Sequence, residues 1–311
     1  MAAVVMTSQQ FRSIVTPILN VPFDGLYKQR KDEWKSFMRM IKSPVERSYH
    51  EEPILAGFGL APEIPDGTNF PYDSGGQLFQ PRFIFKVFGL AYAMTAVLME
   101  DGDHIRLGSI YSEHLARSLT ETRETITANI LNRAFNSAYL MPGGDGVPLI
   151  STSHPTDAGL QSNRLTANAN LSQTSVEQMV IQMASARDDA GNHIYVTPGK
   201  LIVSPSNMLQ AQVIMKSVLR SNDANNAINP VRTFGAFAGD DPVGLVTRLT
   251  SSTAWFVKAE NVDRGLMLVS RRPLKRGMEG DFETDSMRYK ASNREIPGWV
   301  NWRDLFGAPG L

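Results

Sequence analysis

The chain contains no cysteine. Disulfides, thiolate metal sites and thiol nucleophiles are therefore excluded together, and a chain made in a reducing cytoplasm is expected. No run of about 18 apolar residues occurs, so no membrane-spanning helix is expected. The opening MAAVVMTSQQFRSIV lacks early positive charge and turns polar by Thr7, and no secretory signal is read there. There is also no excess of either charge, because 31 Lys and Arg balance 31 Asp and Glu. A protein that grips nucleic acid through phosphates needs clustered positive charge, and this balance argues against one.

Catalytic signatures are missing as well. No Walker loop, GxSxG elbow, HExxH or GxGxxG is present; GFGLAP at Gly57 lacks the third glycine. The histidines (His50, His104, His114, His154 and His193) share no metal-ligand spacing. His154, in STSHP with Ser151, Ser153 and Asp157 close by, is the most enzyme-like. A triad is assembled in space, however, and polar residues beside a proline are what a turn offers. A hydrogen-bonding loop histidine is the expected role, with a soluble hydrolase using His154 as the rival reading. Asp101 and Asp103 in EDGDH fall short of a calcium loop and read as a turn before a helix. Neither metal nor cofactor is expected.

What the 311 residues do contain suffices for one large domain or two ordinary ones, with 42% hydrophobic and 20% charged residues. Residues 1–47 form an arm whose second half is basic, and Trp34, Phe37 and Met38 or Met40 suggest a short amphipathic helix in it. Such a helix serves equally as a lid on the chain's own core or as an arm laid on a neighbour. Residues 48–100 concentrate nine aromatics: Tyr49, Phe58, Phe70, Tyr72, Phe79, Phe83, Phe85, Phe88 and Tyr92. YHEEPILAGFGL and LFQPRFIFKVFGLAYAM read as extended strands flanking the turn-rich PEIPDGTNFPYDSGGQ. A two-stranded arm has no core of its own, so its aromatics need another surface; alternatively both strands belong to a larger sheet.

A long helix is predicted over about 103–136, capped by Asp103, with Leu107, Tyr111, Leu115, Leu119, Ile126, Ile130 and Ala134 on one face and Glu113, Arg117 and Glu121 at pairing distance on another. One hairpin is expected before residue 165. Thr174 and Glu177 predict a capping box opening a helix cored by Val176, Met179, Val180 and Met183, with Gly191 ending it. A strand at Leu201–Val203 follows, and Ser204 with Pro205 opens another helix. Short strands and turns complete an α+β chain.

One charge pattern stands out. Arg271, Arg272, Lys275 and Arg276 precede Glu279, Asp281, Glu283 and Asp285, which occupy alternate positions. On a strand over 278–286 all four carboxylates share a face and require cations or water. Pairing of the basic and acidic runs between neighbouring subunits is one reading; a solvated edge strand and a bound divalent ion are the others.

This order of segments resembles the Hong Kong 97 type of capsid fold, shared by tailed phages, the herpesvirus capsid floor and cellular encapsulins. PLISTSHP at 148–155, SNRL at 162–165, LIVSP at 201–205, NNAINPV at 225–231 and the ending from WFVKAE at 255–260 to FETDSMRYKASNREIPGWVNWRDLFG at 282–307 look closest to Mu-like major head subunits. The resemblance implies an N-arm at 1–47, an extended E-loop at 48–100, a peripheral P-domain at 101–173 and 262–311 carrying the spine helix, and an A-domain at 174–261. It further implies a non-enzymatic head protein that builds an icosahedral shell from pentamers and hexamers around double-stranded DNA held by weak contacts. A separate scaffolding protein, a portal and a decoration protein are the implied partners, with no membrane, and assembly in the host cytoplasm. An encapsulin-like cellular compartment is the alternative. Inter-subunit contacts are expected from Phe58, Phe70, Tyr72, Phe79, Phe83 and Phe85 and from the two charge runs. Covalent cross-linking through an E-loop lysine is not expected, because Pro62 to Gln77 contains none.

Overall fold

The amphipathic stretch after residue 103 folds as helix α1 (His104–Asn132) in a computed structural model that describes residues 23, 32–43, 47–95, 97–98, 104–220, 227–233, 235, 237, 241–281 and 283–311. The expected cap Asp103 lies outside the described residues. Leu115, Ala116, Leu119, Ala128, Ile130 and Leu131 form the buried stripe of α1, whereas Tyr111 is exposed. The helix stops short of residue 136. Arg133–Phe135 turn instead, and the Ala134 carbonyl accepts from the Ile150 amide, which ties the helix end to the following loop.

Strands β1 (Arg39–Lys42), β2 (Tyr49–Glu51), β3 (Arg82–Ile84) and β4 (Lys86–Met94) precede α1. After it come the small hairpin β5 (His154–Thr156) and β6 (Gly159–Gln161), helix α2 (Gln173–Ala184), strand β7 (Pro198–Val203) and helix α3 (Met208–Lys216). The short helix α4 (Pro230–Thr233) leads to β8 (Val243–Leu245), β9 (Trp255–Ala259), β10 (Leu266–Gly280), β11 (Met287–Trp299) and β12 (Leu305–Ala308).

Two four-stranded sheets carry the fold. The first has the order β1-β10-β11-β4, and its centre is the long antiparallel β10–β11 hairpin. Along β11, Tyr289, Ala291, Asn293 and Glu295 are buried while Arg288 and Lys290 are exposed, the period-two pattern of a strand with one covered face. Tyr289 and Ala291 pack with Leu115, Ala116 and Leu119 of α1. The second sheet, β12-β9-β7-β8, has β7 near its centre with Leu201, Ile202 and Val203 all buried, as a strand covered on both faces requires. On one side of it Val176, Met179 and Met183 of α2 and Ala211, Ile214 and Met215 of α3 complete a core.

Several local expectations are corrected. The capping box of α2 is made by Ser172 and Ser175, not by Thr174 and Glu177, because the helix begins at Gln173 and places Ser175 at its third position. Glu177 is thereby left to accept from Arg220 at 3.0 Å. Gly191 does not end α2; it holds a positive φ of 91° in the tight turn after Asp188. The segment around Trp34 is a single 3-10 turn (Glu33–Ser36), and Trp34, Phe37 and Met38 are buried in the subunit's own main core.

Candidate functional site

Where β2 and β3 pair, Tyr49 faces Ile84 and Glu51 faces Arg82. The ladder continues through an Ile54 amide to Phe79 carbonyl bond of 2.9 Å and an Ala56 to Gly76 bond of 2.8 Å, and then ends. Residues 57–75 contain no strand, as their proline and glycine content dictates. At this tip Phe58, Phe70 and Tyr72 are exposed by 66%, 76% and 101%, and Leu60 by 87%, around an open hollow. Side chains of this size left in water together mark a contact surface. The tip is braced at two points. Asp73 accepts from the Gly59 amide at 2.8 Å, and Asn192 donates to the Phe58 carbonyl at 2.9 Å.

The other aromatics assigned to this surface behave differently. Phe79 is half-buried, and Phe83 and Phe85 are fully inside the main core with Trp299 and Met141. They alternate inward along β3 and its extension, so the subunit itself consumes them.

The expected acidic strand over 278–286 does not exist. β10 ends at Gly280, the chain turns at Glu283–Thr284, and Asp285 takes a positive φ of 49°. Glu279, Asp281, Glu283 and Asp285 therefore spread around the end of a hairpin and cannot share a face. Asp281 is already paired within the chain, to Arg288 and to Thr284. The basic run does lie on a strand. Arg272 and Lys275 sit on β10 with a bulge between them, Arg271 lies in the bulged region, and Arg276 stacks over Phe23 at 5.3 Å.

His154 is wholly buried, and both ring nitrogens are engaged. Nδ1 lies 2.5 Å from Asp145 Oδ2 and Nε2 lies 3.1 Å from Asn163 Oδ1. The Asn163 amide nitrogen donates to the carbonyls of Leu149 and Leu305, which fixes its oxygen as the acceptor facing the histidine. The ring stacks on Trp302 at 4.1 Å. Ser151 and Ser153 bond each other, not the imidazole, and no ring nitrogen is left for a substrate. His154 is a joint between the β5 loop and the C-terminal turn.

A third cluster had no signal in sequence spacing. Glu124, on the buried side of α1, accepts from the Glu33 and Trp34 amides at 3.0 and 3.1 Å. Glu33 in turn accepts from Thr247 and from Arg248, whose Nε also reaches Glu121 at 2.6 Å. Burial, and secondarily the Glu33 carboxylate, pushes the Glu124 carboxyl up to about 7 against the pull of Arg248 and the two amides. Residues 33, 124 and 248 are far apart in the chain, and only the fold brings them together. Among the described residues no group of three or more histidines and acids is placed to hold a metal ion.

A hairpin sheet lying on a long helix, a second sheet with its own helices, and an extended loop are together the Hong Kong 97-type capsid fold. The capsid of cyanophage P-SCSP1u superposes with a TM-score of 0.57 at 12% identity over 89% of this chain and 88% of that one. The mature capsid of bacteriophage PhiM1 gives 0.52 at 12% identity over 90% and 87%, and a virus-like particle from Pyrococcus furiosus gives 0.52 at 11% identity over 94% and 98%. No curated protein sequence matches. The sequence does match the family model described as phage capsid protein over residues 84–306, and the chain belongs to that family. Family and fold together define a bacteriophage major capsid protein, with a structural role in the virion capsid.

Proposed function

We propose that this chain assembles through pentamers and hexamers into a closed icosahedral shell around double-stranded DNA, without catalysing a reaction. The observation that carries the reading is the tip at 57–75, where Phe58, Leu60, Phe70 and Tyr72 are exposed together, outside the buried cores of the subunit. Burial of such area at about 25 cal/mol per Å² makes each contact modest, and repetition under closed symmetry makes the shell stable. In this reading residues 1–47 are the N-arm and 48–100 the E-loop; 101–173 with 262–311 form the P-domain, and 174–261 the A-domain. A Mu-like subtype is supported by the PLISTSHP, LIVSP and C-terminal passages. Assembly in the host cytoplasm with a separate scaffolding protein, a portal and a decoration protein completes the proposal. The equal numbers of acids and bases suit a wall that encloses a polyanion without adhering to it.

The test is expression of the full chain, alone and with its scaffold, followed by negative-stain electron microscopy and size-exclusion chromatography. Closed shells or capsomer rings are expected. A uniform monomer or dimer under both conditions would sink the reading. An encapsulin-like compartment uses a related fold, and particles from the native source that hold enzyme cargo in place of DNA would favour it.

A further inference from the structure

In the first sheet, β10 and β11 turn Arg272, Lys275, Arg288, Lys290 and Arg294 to the face away from α1. The register places Arg272 directly opposite Arg294, Lys275 opposite Ser292 and Gly277 opposite Lys290, while the intervening Tyr289 and Ala291 face the helix. Like charges directly opposite one another destabilise a sheet unless something anionic lies over them. The Nε atoms of both Arg272 and Arg294 are buried yet have no hydrogen-bond partner among the described residues. Among the described residues, Arg272 reaches Ser292 at 2.8 Å, Arg294 lies over the Phe85 ring at 5.9 Å, and of these five cations Arg288 alone is paired with a carboxylate, that of Asp281. Beside this row the register puts Gly89, Ala91 and Ala93 of the edge strand β4 next to Ser292, Lys290 and Arg288. Small side chains there leave a shallow floor next to the cations, on a strand whose outer edge has no partner strand among the described residues.

Of the acidic run at 279–285, Glu279 stands on this face opposite Arg288 at the hairpin end, Asp281 is paired with Arg288, and Glu283 and Asp285 lie in the turn, so none of the four stands opposite Arg272, Lys275, Lys290 or Arg294. The complementary charge lies elsewhere in the same chain. From Pro53 to Pro81 there is no Lys or Arg, and the acids are Glu63, Asp66 and Asp73. Glu63 and Asp66 are exposed on the tip and make no ion pair among the described residues. We infer that the basic face formed by Arg272, Lys275, Lys290 and Arg294 receives the acidic, aromatic tip of a second copy of this chain. Glu63 and Asp66 then supply carboxylates to the cation row, and the tip aromatics cover the Gly89–Ala93 floor. This rests on the capsid reading and specifies where one subunit grips the next. Complementary charge of this kind sets register and encounter rate more than affinity.

The test is a charge swap in the full chain under conditions where the wild type forms shells. Glu63→Lys with Asp66→Lys, both at exposed loop positions, is expected to lose shell formation while keeping the wild-type circular dichroism melt. Adding Lys275→Glu and Lys290→Glu is expected to restore it. Because the chain has no cysteine, Asp66→Cys combined with Lys275→Cys or Lys290→Cys gives an independent measurement. An interchain disulfide ladder on a non-reducing gel is expected from at least one pair and from neither single variant. Shells formed normally by the tip reversal would overturn the inference and leave the capsid reading intact. So would the absence of both charge rescue and ladder, or a loss of packaged DNA caused by the Lys275→Glu and Lys290→Glu pair alone, which would assign the face to DNA. Failure of the wild type to assemble with its scaffold would instead remove the capsid reading itself.

Discussion

Arg123 and Glu295 form a two-pronged ion pair between α1 and β11, with Nε 2.9 Å from Oε1 and Nη2 3.0 Å from Oε2. Glu295 is 1% exposed and lies on the face of β11 that meets the helix. The pair therefore locks the rotation of the helix against the register of the long hairpin, across 172 residues of sequence.

Breaking that pair leaves a buried charge without compensation. Glu295→Ala is expected to cost about 3–5 kcal/mol, read as a fall in the denaturation midpoint of the unassembled subunit. The joint change Arg123→Met with Glu295→Leu should recover most of the loss. A Glu295→Ala midpoint equal to wild type would show that the pair does not hold the layers together.

The carboxyl of Glu124 gives the subunit a pH dependence with a definite sign. Its folded value of about 7 lies above the ordinary 4.5, so the folded state holds the proton more tightly than the unfolded chain. The resulting contribution, at most about 3 kcal/mol, is fully present below about 4.5 and is lost as pH rises to about 7. The difference in melting temperature between wild type and Glu124→Gln should therefore move against the wild type over that window. A difference that stays flat, or rises with pH, contradicts this account.

Substitution of His154 separates the structural role from the catalytic one. His154→Ala removes the stack on Trp302 and strands Asp145 and Asn163 in the interior, at a cost of roughly 3 kcal/mol in urea denaturation. A variant with wild-type stability that had lost a hydrolytic turnover would revive the enzyme reading.

Gly143 clamps the base of the arm. Its φ is 71°, and a Cβ there would lie 2.3 Å from the Gln80 carbonyl oxygen. The Gly143 carbonyl accepts from the Gln80 amide at 3.0 Å, and Pro142 accepts from Arg82 at 2.7 Å. Gly143→Ala combines strain with a clash, so about 2 kcal/mol of stability should be lost. Limited proteolysis within 57–75 should also speed up as the arm loosens. Unchanged cleavage would place the arm's anchor elsewhere.

Periodicity revealed much of this arrangement. The stripe from Leu115 to Ile130, the apolar Leu201–Val203 strand and the turn-rich tip with Phe58, Phe70 and Tyr72 all follow from local pattern. Phe83 and Phe85 misled because an aromatic strand reads the same whether it covers a neighbour or the subunit's own core. The acids at 279–285 misled because alternation implies a strand only where no turn intervenes, and Thr284 lies within one.

By itself, the sequence determined which segments are apolar on one side, which cannot be regular, where charge of one sign collects, and that no thiol chemistry is available. These are properties of neighbours along the chain. Only the tertiary structure decided that Glu124 reaches the Glu33 and Trp34 amides, that Arg272 stands opposite Arg294, and that His154 is closed off by Asp145, Asn163 and Trp302. Each depends on strand register or helix rotation, and those are set by the packing of whole faces across long separations in sequence, which local spacing does not encode.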